Sequence, residues 1–256
     1  PTVEEEKTVP HRLYGMVGAE EDWSVAKWLD AALGEIEVCW QEGRLPILTG
    51  GTGLYFKALE HGLADIPDIP QAIREAADHV LETSGIEALY ADLAQYDPVA
   101  YARLHANDSQ RIRRAWEVVR ATGKGLDYWY SKGQRGLLAR SDITFGRHAI
   151  LPDRDWLYQR CDQRVHMMIE QGALHEVEAL KAKPLASDSG IMKALGVGEL
   201  AAYLEGELLL DGAVSLLQRN TRRYAKRQLT WFRNQAKHWE MQSEQLNVKN
   251  IIESFS

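Results

Sequence analysis

The stretch that most constrains the fold is a glycine-rich turn between two apolar segments, LPILTGGTGLYFKAL at 45–59. Apolar residues occupy 46–48, three glycines follow, and apolar residues return at helical spacing after Gly53. This order predicts a strand, a turn and a helix. Glycines there let a ligand approach the backbone, the helix start offers free N–H groups to anions, and Thr52 adds a hydroxyl. The alternative is a tight strand-to-helix turn that binds nothing.

Several other signatures of catalytic sites do not occur. No Lys-Ser/Thr pair follows the glycines, so this turn is not a Walker A loop. No His, Cys, Asp and Glu residues have metal-ligand spacing, and there is no G-x-S-x-G serine elbow. Cys39 and Cys161 form no CxxC pair. They predict neither a disulfide nor a zinc site, and they fit a reducing cytoplasm.

Composition predicts a globular chain with one large domain or two modest ones. Of its 256 residues, 45% are hydrophobic and 26% are charged, which suffices for a sizeable core. No apolar run reaches membrane-spanning length and no signal peptide is visible, so we expect a cytoplasmic protein without a membrane partner.

The charge is unevenly distributed along the chain. The formal net charge is -7, yet window 103–140 carries nine Lys/Arg against three Asp/Glu, and window 219–233 carries six against none. These two basic windows hold fifteen of the thirty cations. Basic islands in an acidic chain predict a polyanion site. Solvated helix faces are the alternative explanation for either window.

The order of elements predicts an α/β protein with a helical insertion. A strand ending near 11–14, a helix between Ser24 and Gly43, and the strand at 46–48 predict a parallel βαβ arrangement. Prolines at 67 and 70 then start a helical segment that extends to about 146. Helices are predicted in it at 71–83, 86–95, 98–104 and 109–122.

The last part predicts a return to the α/β layer. A strand at 148–151 leads to a long helix from 155, with a possible interruption at Gly172. Arg160 and Arg164 lie one turn apart on that helix, where structural salt bridges are the simplest role. Further helices are predicted at 191–204, 210–217 and 219–233.

Four stretches of the chain resemble the successive signature stretches of the tRNA dimethylallyltransferase (tRNA isopentenyltransferase) family, in order and spacing. The stretches are LPILTGGTGLYFKALEHGLADIP, NDSQRIRRAWEV with the later TGKGL, RVHMMIEQGALHEVEAL, and NTRRYAKRQLTWFR. The resemblance covers nearly the whole chain. It implies an α/β fold with a P-loop NTPase-like parallel-sheet core and a mostly helical insertion domain. The implied domains are core 1–66, tRNA-binding insertion 67–146, and core 147–256 with basic C-terminal helices.

The resemblance also implies an activity. Members transfer a dimethylallyl group from dimethylallyl diphosphate to N6 of the adenosine 3′-adjacent to the tRNA anticodon, with Mg²⁺ and release of pyrophosphate. The implied partners are therefore the anticodon stem-loop and dimethylallyl diphosphate, and we expect a monomer. Allylic substitution develops negative charge on the leaving group, which fixed cations stabilise, and the base must be flipped out of its stack.

Particular residues take roles from the resemblance. Thr52 matches a threonine that lines the reaction channel near adenine and donor. Arg164 matches an arginine that neutralises the leaving pyrophosphate, and Gly50 and Gly51 are placed beside the diphosphate. The implied tRNA contacts are Thr52, Arg74, Gln110, Arg111, Ile112, Arg113, Arg114, Ala194, Leu195, Gly196, Val197, Gly198 and Glu199. The basic helix adds Arg222, Arg223 and Lys226.

Two departures from the family pattern bear on these roles. The family's P-loop, its general-base aspartate and most of the expected Mg²⁺ site lie upstream of the stretch matched by Pro1, so we expect these 256 residues alone to be inactive. Val197 and Gly198 stand where the family usually has tyrosine and a basic residue.

The alternatives to transfer onto tRNA are an adenylate isopentenyltransferase that acts on a free nucleotide, and a tRNA-binding module without catalysis.

Overall fold

The structure is a computed structural model that describes residues 1–21, 23–132, 136–186 and 189–243. It is mixed α/β and mostly helical. The chain divides into two compact units, one from Pro1–Phe56 with Asp142–Ser256 and the other from Lys57–Ser141. The second unit overlaps most of the predicted insertion at 67–146, whose bounds remain a prediction. Within the described ranges, no helix has the length and apolar character needed to cross a membrane.

Helices make up most of both units. In chain order, the helices as far as Ser131 are α1 (Val3–Thr8), α2 (Val25–Gln41), α3 (Gly53–His61), α4 (Gln71–Tyr96), α5 (Pro98–Arg103), α6 (Ser109–Thr122) and α7 (Leu126–Ser131). The later helices are α8 (Arg154–Glu170), α9 (Ala173–Lys181), α10 (Val197–Leu204) and α11 (Leu210–Gln235). Short 3-10 turns occupy Leu137–Ala139 and Ile191–Lys193.

The sheet is much smaller than the sequence predicted. Strand β1 (His148–Ile150) pairs in parallel with β2 (Glu240–Gln242). The prediction of a strand at 148–151 is confirmed, but the strands predicted at 11–14 and 46–48 are wrong, because both segments lack regular structure. A strand needs a paired neighbour, and 46–48 has none among the described residues; the Ile47 side chain is 65% exposed. The predicted P-loop-type parallel sheet is therefore not seen in the described part.

The second unit has a core of its own, built where α4 meets α6. Leu89, Leu93 and Ile112 are fully buried in it. Helix α4 consists of two helical segments that meet at Gly85, whose φ of 75° and ψ of 178° are not helical, so the two helices predicted at 71–83 and 86–95 are confirmed. Helix α6 has the predicted bounds, with Asp108 as N-cap and Gly123 as a left-handed C-cap.

In the first unit, α8 packs against α11, with Val165, Leu217 and Ala225 buried. Helices predicted separately at 210–217 and 219–233 are continuous as α11. The residue between the two ranges, Gln218, favours helix, so nothing local breaks the chain there. The long helix predicted from 155 does end near Gly172, which has a φ of 99°.

Candidate functional site

The glycine turn leads directly into α3, as the sequence predicted. Helix α3 begins at Gly53, and the Tyr55 N–H donates to the Thr52 carbonyl at 2.9 Å. The Tyr55 ring stacks on Trp28 of α2, with centroids 4.3 Å apart, which ties the first turn of α3 to its neighbour. The Thr52 side chain remains exposed. A hydroxyl thus stands beside a helix N-terminus, where anions are stabilised.

Helix α11 packs closely against the same turn. A Cβ added to Gly53 would overlap the Trp231 indole, and one added to Gly51 would overlap the Gln228 side-chain amide. Neither glycine has a positive φ, so backbone conformation requires neither; Gly53 is required for close approach of the rigid Trp231 indole, whereas the flexible Gln228 side chain could move away from a Cβ at position 51. Part of the glycine pattern is therefore explained by packing alone.

One contact from α11 reaches the predicted channel residue itself. The Thr52 and Tyr224 hydroxyl oxygens are 3.3 Å apart, a long hydrogen bond in which either hydroxyl can be the donor. The sequence predicted that one side of this helix packs, with Tyr224 and Trp231 among its aromatic residues, but it placed neither of them, nor Gln228, in the candidate site. Their spacing of four and three residues puts them on one side of a helix. That spacing was the signal in the sequence that could have indicated a shared contact surface.

Arg164, the predicted pyrophosphate ligand, is exposed on α8. It forms no ion pair with any residue in the described ranges. The Arg160 guanidinium lies 5.7 Å from the Trp156 ring centroid, also without a salt bridge in those ranges. The salt-bridge alternative for this pair of arginines is therefore not supported by the described contacts.

The surroundings of Arg164 are rich in charge. Burial raises the pKa of the Cys161 thiol and Asp162 adds to the rise, while Arg164 and Arg222 oppose it. Arg222 of α11 donates to the Asp162 carboxylate at 2.5 Å. Arg222 is thus committed to holding α8 against α11, and Arg164 is the arginine of the two whose head group stays available.

The basic side of α11 borders the side that packs against the glycine turn, and Trp231 takes part in both. Arg223 and Lys226 are exposed there. Together with Arg227, Thr230 and Trp231 they line a surface cavity of about 560 Å³. Three cations beside an indole suit phosphate and base contacts.

The arginines of α6, which lies in the first basic window, differ in whether they form ion pairs within the protein. Arg113 donates to Asp78 at 2.5 Å and to Glu117 at 2.8 Å, and the Glu117 bond raises the pKa of Arg113 above its ordinary value. Arg111 pairs with the helix cap Asp108 at 2.6 Å. These two guanidiniums are therefore partly neutralised within the protein.

The other predicted contacts of this window fall into two groups. The Ile112 side chain is fully buried and its N–H donates to the Asp108 carbonyl, so Ile112 stabilises the core and is not placed to contact tRNA. Arg74 of α4, and Gln110 and Arg114 of α6, are exposed. Residues 133–135 of the window lie outside the described part.

Further cations of the window also have partners inside the second unit. Arg103 donates to Asp127 at 2.6 Å, and Lys124 and Lys132 lie 5.4 and 5.0 Å from the Tyr128 ring centroid. Counting charges along the sequence therefore overstates the positive charge that this window offers to a polyanion.

The stretch 194–199 forms the start of α10. Glu199 accepts from the Gly196 N–H at 3.1 Å and from the Asn220 amide at 2.7 Å, so its carboxylate holds α10 against α11. Val197 is buried, whereas a Cβ at Gly198 would meet open space. Ala194 and Leu195 are exposed and line a surface cavity of about 330 Å³.

Across the described ranges, no group of three His, Cys, Asp or Glu side chains is placed to hold a metal ion.

The chain was compared with known proteins. The family model for IPP transferase matches residues 1–235. A tRNA dimethylallyltransferase of Rhodospirillum centenum is 49% identical over 92% of this chain and 74% of the relative. One from Granulibacter bethesdensis is 48% identical over 91% and 72%. The crystal structure of the tRNA isopentenylpyrophosphate transferase of Bacillus halodurans has a TM-score of 0.65 at 34% identity, covering 99% of this chain and 78% of that one. The chain belongs to the IPP transferase family.

Proposed function

We propose that this protein transfers a dimethylallyl group from dimethylallyl diphosphate to N6 of the adenosine 3′-adjacent to the tRNA anticodon. Relatives with 48 and 49% identity are named tRNA dimethylallyltransferases. The observation that carries the proposal is the arrangement of α11, which contacts the glycine turn on one side and presents Arg223 and Lys226 on another. Trp231, which lies against Gly53, also lines the cavity with Arg223 and Lys226, so phosphates held by these cations would lie near the glycine turn.

In the proposed reaction, the adenine N6 attacks the allylic carbon of the donor as the carbon–oxygen bond to the diphosphate breaks. The electron pair of the carbon–oxygen bond leaves with pyrophosphate, and one N6 proton passes to a general base, the role that the family resemblance gives to an aspartate. We assign Arg164 to that charge, because its guanidinium is exposed and has no ion pair among the described residues. A guanidinium can bind phosphate oxygens in a bidentate manner. Gly50 and Gly51 are assigned to the diphosphate through their backbone N–H groups.

Thr52 is assigned to the target base and the donor, because its hydroxyl is exposed immediately before α3. Mg²⁺ remains part of the proposal as the ion that accompanies a diphosphate, and its chemistry is to neutralise phosphate oxygens. We assign it no protein ligand among the described residues.

The tRNA is proposed to contact two surfaces. On the second unit these are the exposed side chains of Arg74, Gln110 and Arg114, and on α11 those of Arg223 and Lys226. A free nucleotide has no need of a basic helical unit, so the second unit favours an RNA substrate over adenylate. The stem-loop must also release its target base from the stack, since a stacked base does not present its N6 to a reacting group on the protein.

The test is a transfer assay with the full-length protein, dimethylallyl diphosphate and either an anticodon stem-loop or adenosine monophosphate. We expect prenylation of the stem-loop, with kcat/KM at least 10²-fold above that for the nucleotide, an order-of-magnitude expectation for a substrate with several phosphate contacts. Preferred prenylation of the mononucleotide would support the adenylate isopentenyltransferase instead. Tight stem-loop binding without transfer would leave only an RNA-binding module.

A further inference from the structure

Three side chains of α11 face the glycine turn one after another. Trp231 lies against Gly53 and Gln228 against Gly51, each so close that a Cβ would overlap it. Tyr224 continues this line, four residues before Gln228, and its hydroxyl meets Thr52 at 3.3 Å. The helix therefore contacts three of the four residues at 50–53.

Two kinds of contact restrain Tyr224: the packing of its helix and a contact to its ring. The buried neighbours Ala225 and Leu229 anchor α11 in the first unit. The Arg227 guanidinium lies 5.3 Å from the Tyr224 ring centroid, a cation–π contact that restrains the ring. The tyrosine is nevertheless 39% exposed, more than a core side chain would be. Packing of the core does not explain why its hydroxyl points at Thr52.

We propose that Tyr224 is a positioning residue for Thr52. Thr52 is exposed and outside α3, and its only side-chain hydrogen bond in the described ranges is the one to Tyr224. A phenol is a better donor than an aliphatic alcohol, so Tyr224 donates to the Thr52 oxygen. That bond fixes the Thr52 rotamer and leaves its own O–H to donate to a ligand. The inference rests on the proposed role of Thr52 in transfer.

The proposal makes α11 a link between RNA and the reacting centre. Arg223 precedes Tyr224 directly, and Lys226 follows one half-turn later. Cations that bind phosphate and the tyrosine that orients Thr52 therefore move as one rigid helix. The positioning of Thr52 should thus be the same with and without a bound stem-loop, since it is built into the fold.

The kinetic test uses Tyr224→Phe, Thr52→Val and the double variant in the full-length protein. Tyr203→Phe removes a hydroxyl from α10 and serves as the matched control. We expect Tyr224→Phe to lower kcat about threefold to tenfold, the equivalent of one hydrogen bond, with little change in KM for the stem-loop or in Tm. In the Thr52→Val background the same change should have no further effect. Equal losses in both backgrounds, or wild-type kcat for Tyr224→Phe, would overturn the proposal.

A second readout separates this proposal from the proposed function. In methyl-labelled protein, three-bond couplings to the Thr52 methyl report its χ1 rotamer without any turnover. We expect one rotamer in the native protein and averaging over at least two in Tyr224→Phe, while Tyr203→Phe stays native. Averaging already in the native protein, or one unchanged rotamer in Tyr224→Phe, would refute positioning. An ordered Thr52 in a protein that fails to prenylate the stem-loop would refute the function alone.

Discussion

At the scale of single residues, two adjacent arginines of the same helix have different roles. Arg113 and Arg114 are adjacent on α6, and the sequence alone placed both against tRNA. The structure commits Arg113 to Asp78 and to Glu117, whose side chain is only 10% exposed. Arg114 is exposed. Such a division depends on contacts between α4 and α6, which a linear pattern does not contain.

The first prediction separates these two arginines. Arg114→Ala should lower the slope of log K against log salt for stem-loop binding by about 1, with Tm unchanged. Arg113→Ala should instead cost about 2 kcal/mol in unfolding free energy, because it leaves a mostly buried carboxylate without its charged donor. Salt titrations and urea unfolding measure the two effects. An unchanged stability of Arg113→Ala with a lower salt slope would contradict the assignment.

The second prediction concerns Arg164. If it neutralises the leaving pyrophosphate, Arg164→Ala should lower kcat on the order of 10²-fold with tRNA affinity and Tm unchanged. Lysine should restore activity only in part, because it lacks the bidentate guanidinium. Arg160→Ala, one turn away, is the control and should keep native turnover. A lower Tm with native turnover for Arg164→Ala would instead indicate a structural role.

At the scale of elements, the glycine turn is held by α11. The third prediction is that Gly53→Ala costs about 1–3 kcal/mol in unfolding free energy, since the new Cβ overlaps the Trp231 indole and forces α3 and α11 apart. Gly34→Ala is the matched control, because it lies inside α2 where a Cβ meets open space. That change should be neutral or stabilising. Equal effects of the two substitutions in urea unfolding would show that the close packing does not matter.

Elements with strong local signals were predictable, and elements that depend on distant partners were not. Helix α6 has a capping aspartate and a terminal glycine, and its predicted bounds are confirmed. The apolar run 46–48 resembles a strand, but a strand forms only beside another, and the described residues supply none there. Strand β2 was missed because EMQ carries no strand pattern and depends on pairing with β1.

In the candidate site, too, the features set by local sequence were predictable and those set by distant contacts were not. The turn before α3 and the exposed Thr52 follow from glycine spacing, and Arg164 follows from the family resemblance. Tyr224 lies 172 residues away from its partner in the chain. Its contact depends on how α11 packs, so sequence periodicity indicated the helix face but not the residue that the face meets.

At the scale of the whole molecule, the two basic windows should act together on RNA although the net charge is -7. The fourth prediction is that stem-loop binding weakens steeply with salt, and that Arg114→Ala and Arg223→Ala lower the slope by about 1 each and additively. Fluorescence anisotropy at several salt concentrations measures this. Arg222→Ala is the contrasting variant, since Arg222 pairs with Asp162 and should alter stability more than slope. Affinity independent of salt would contradict phosphate binding by these windows.

The central claim is that a dimethylallyl group reaches one particular adenosine of the tRNA. The most direct measurement is nuclease mapping by mass spectrometry of an anticodon stem-loop after incubation with the full-length protein and dimethylallyl diphosphate. We predict that one dimethylallyl group is added, on the fragment with the adenosine 3′-adjacent to the anticodon, and that replacing this adenosine by guanosine abolishes the addition. Modification of another nucleotide, or persistence of the product in the guanosine variant, would contradict the account.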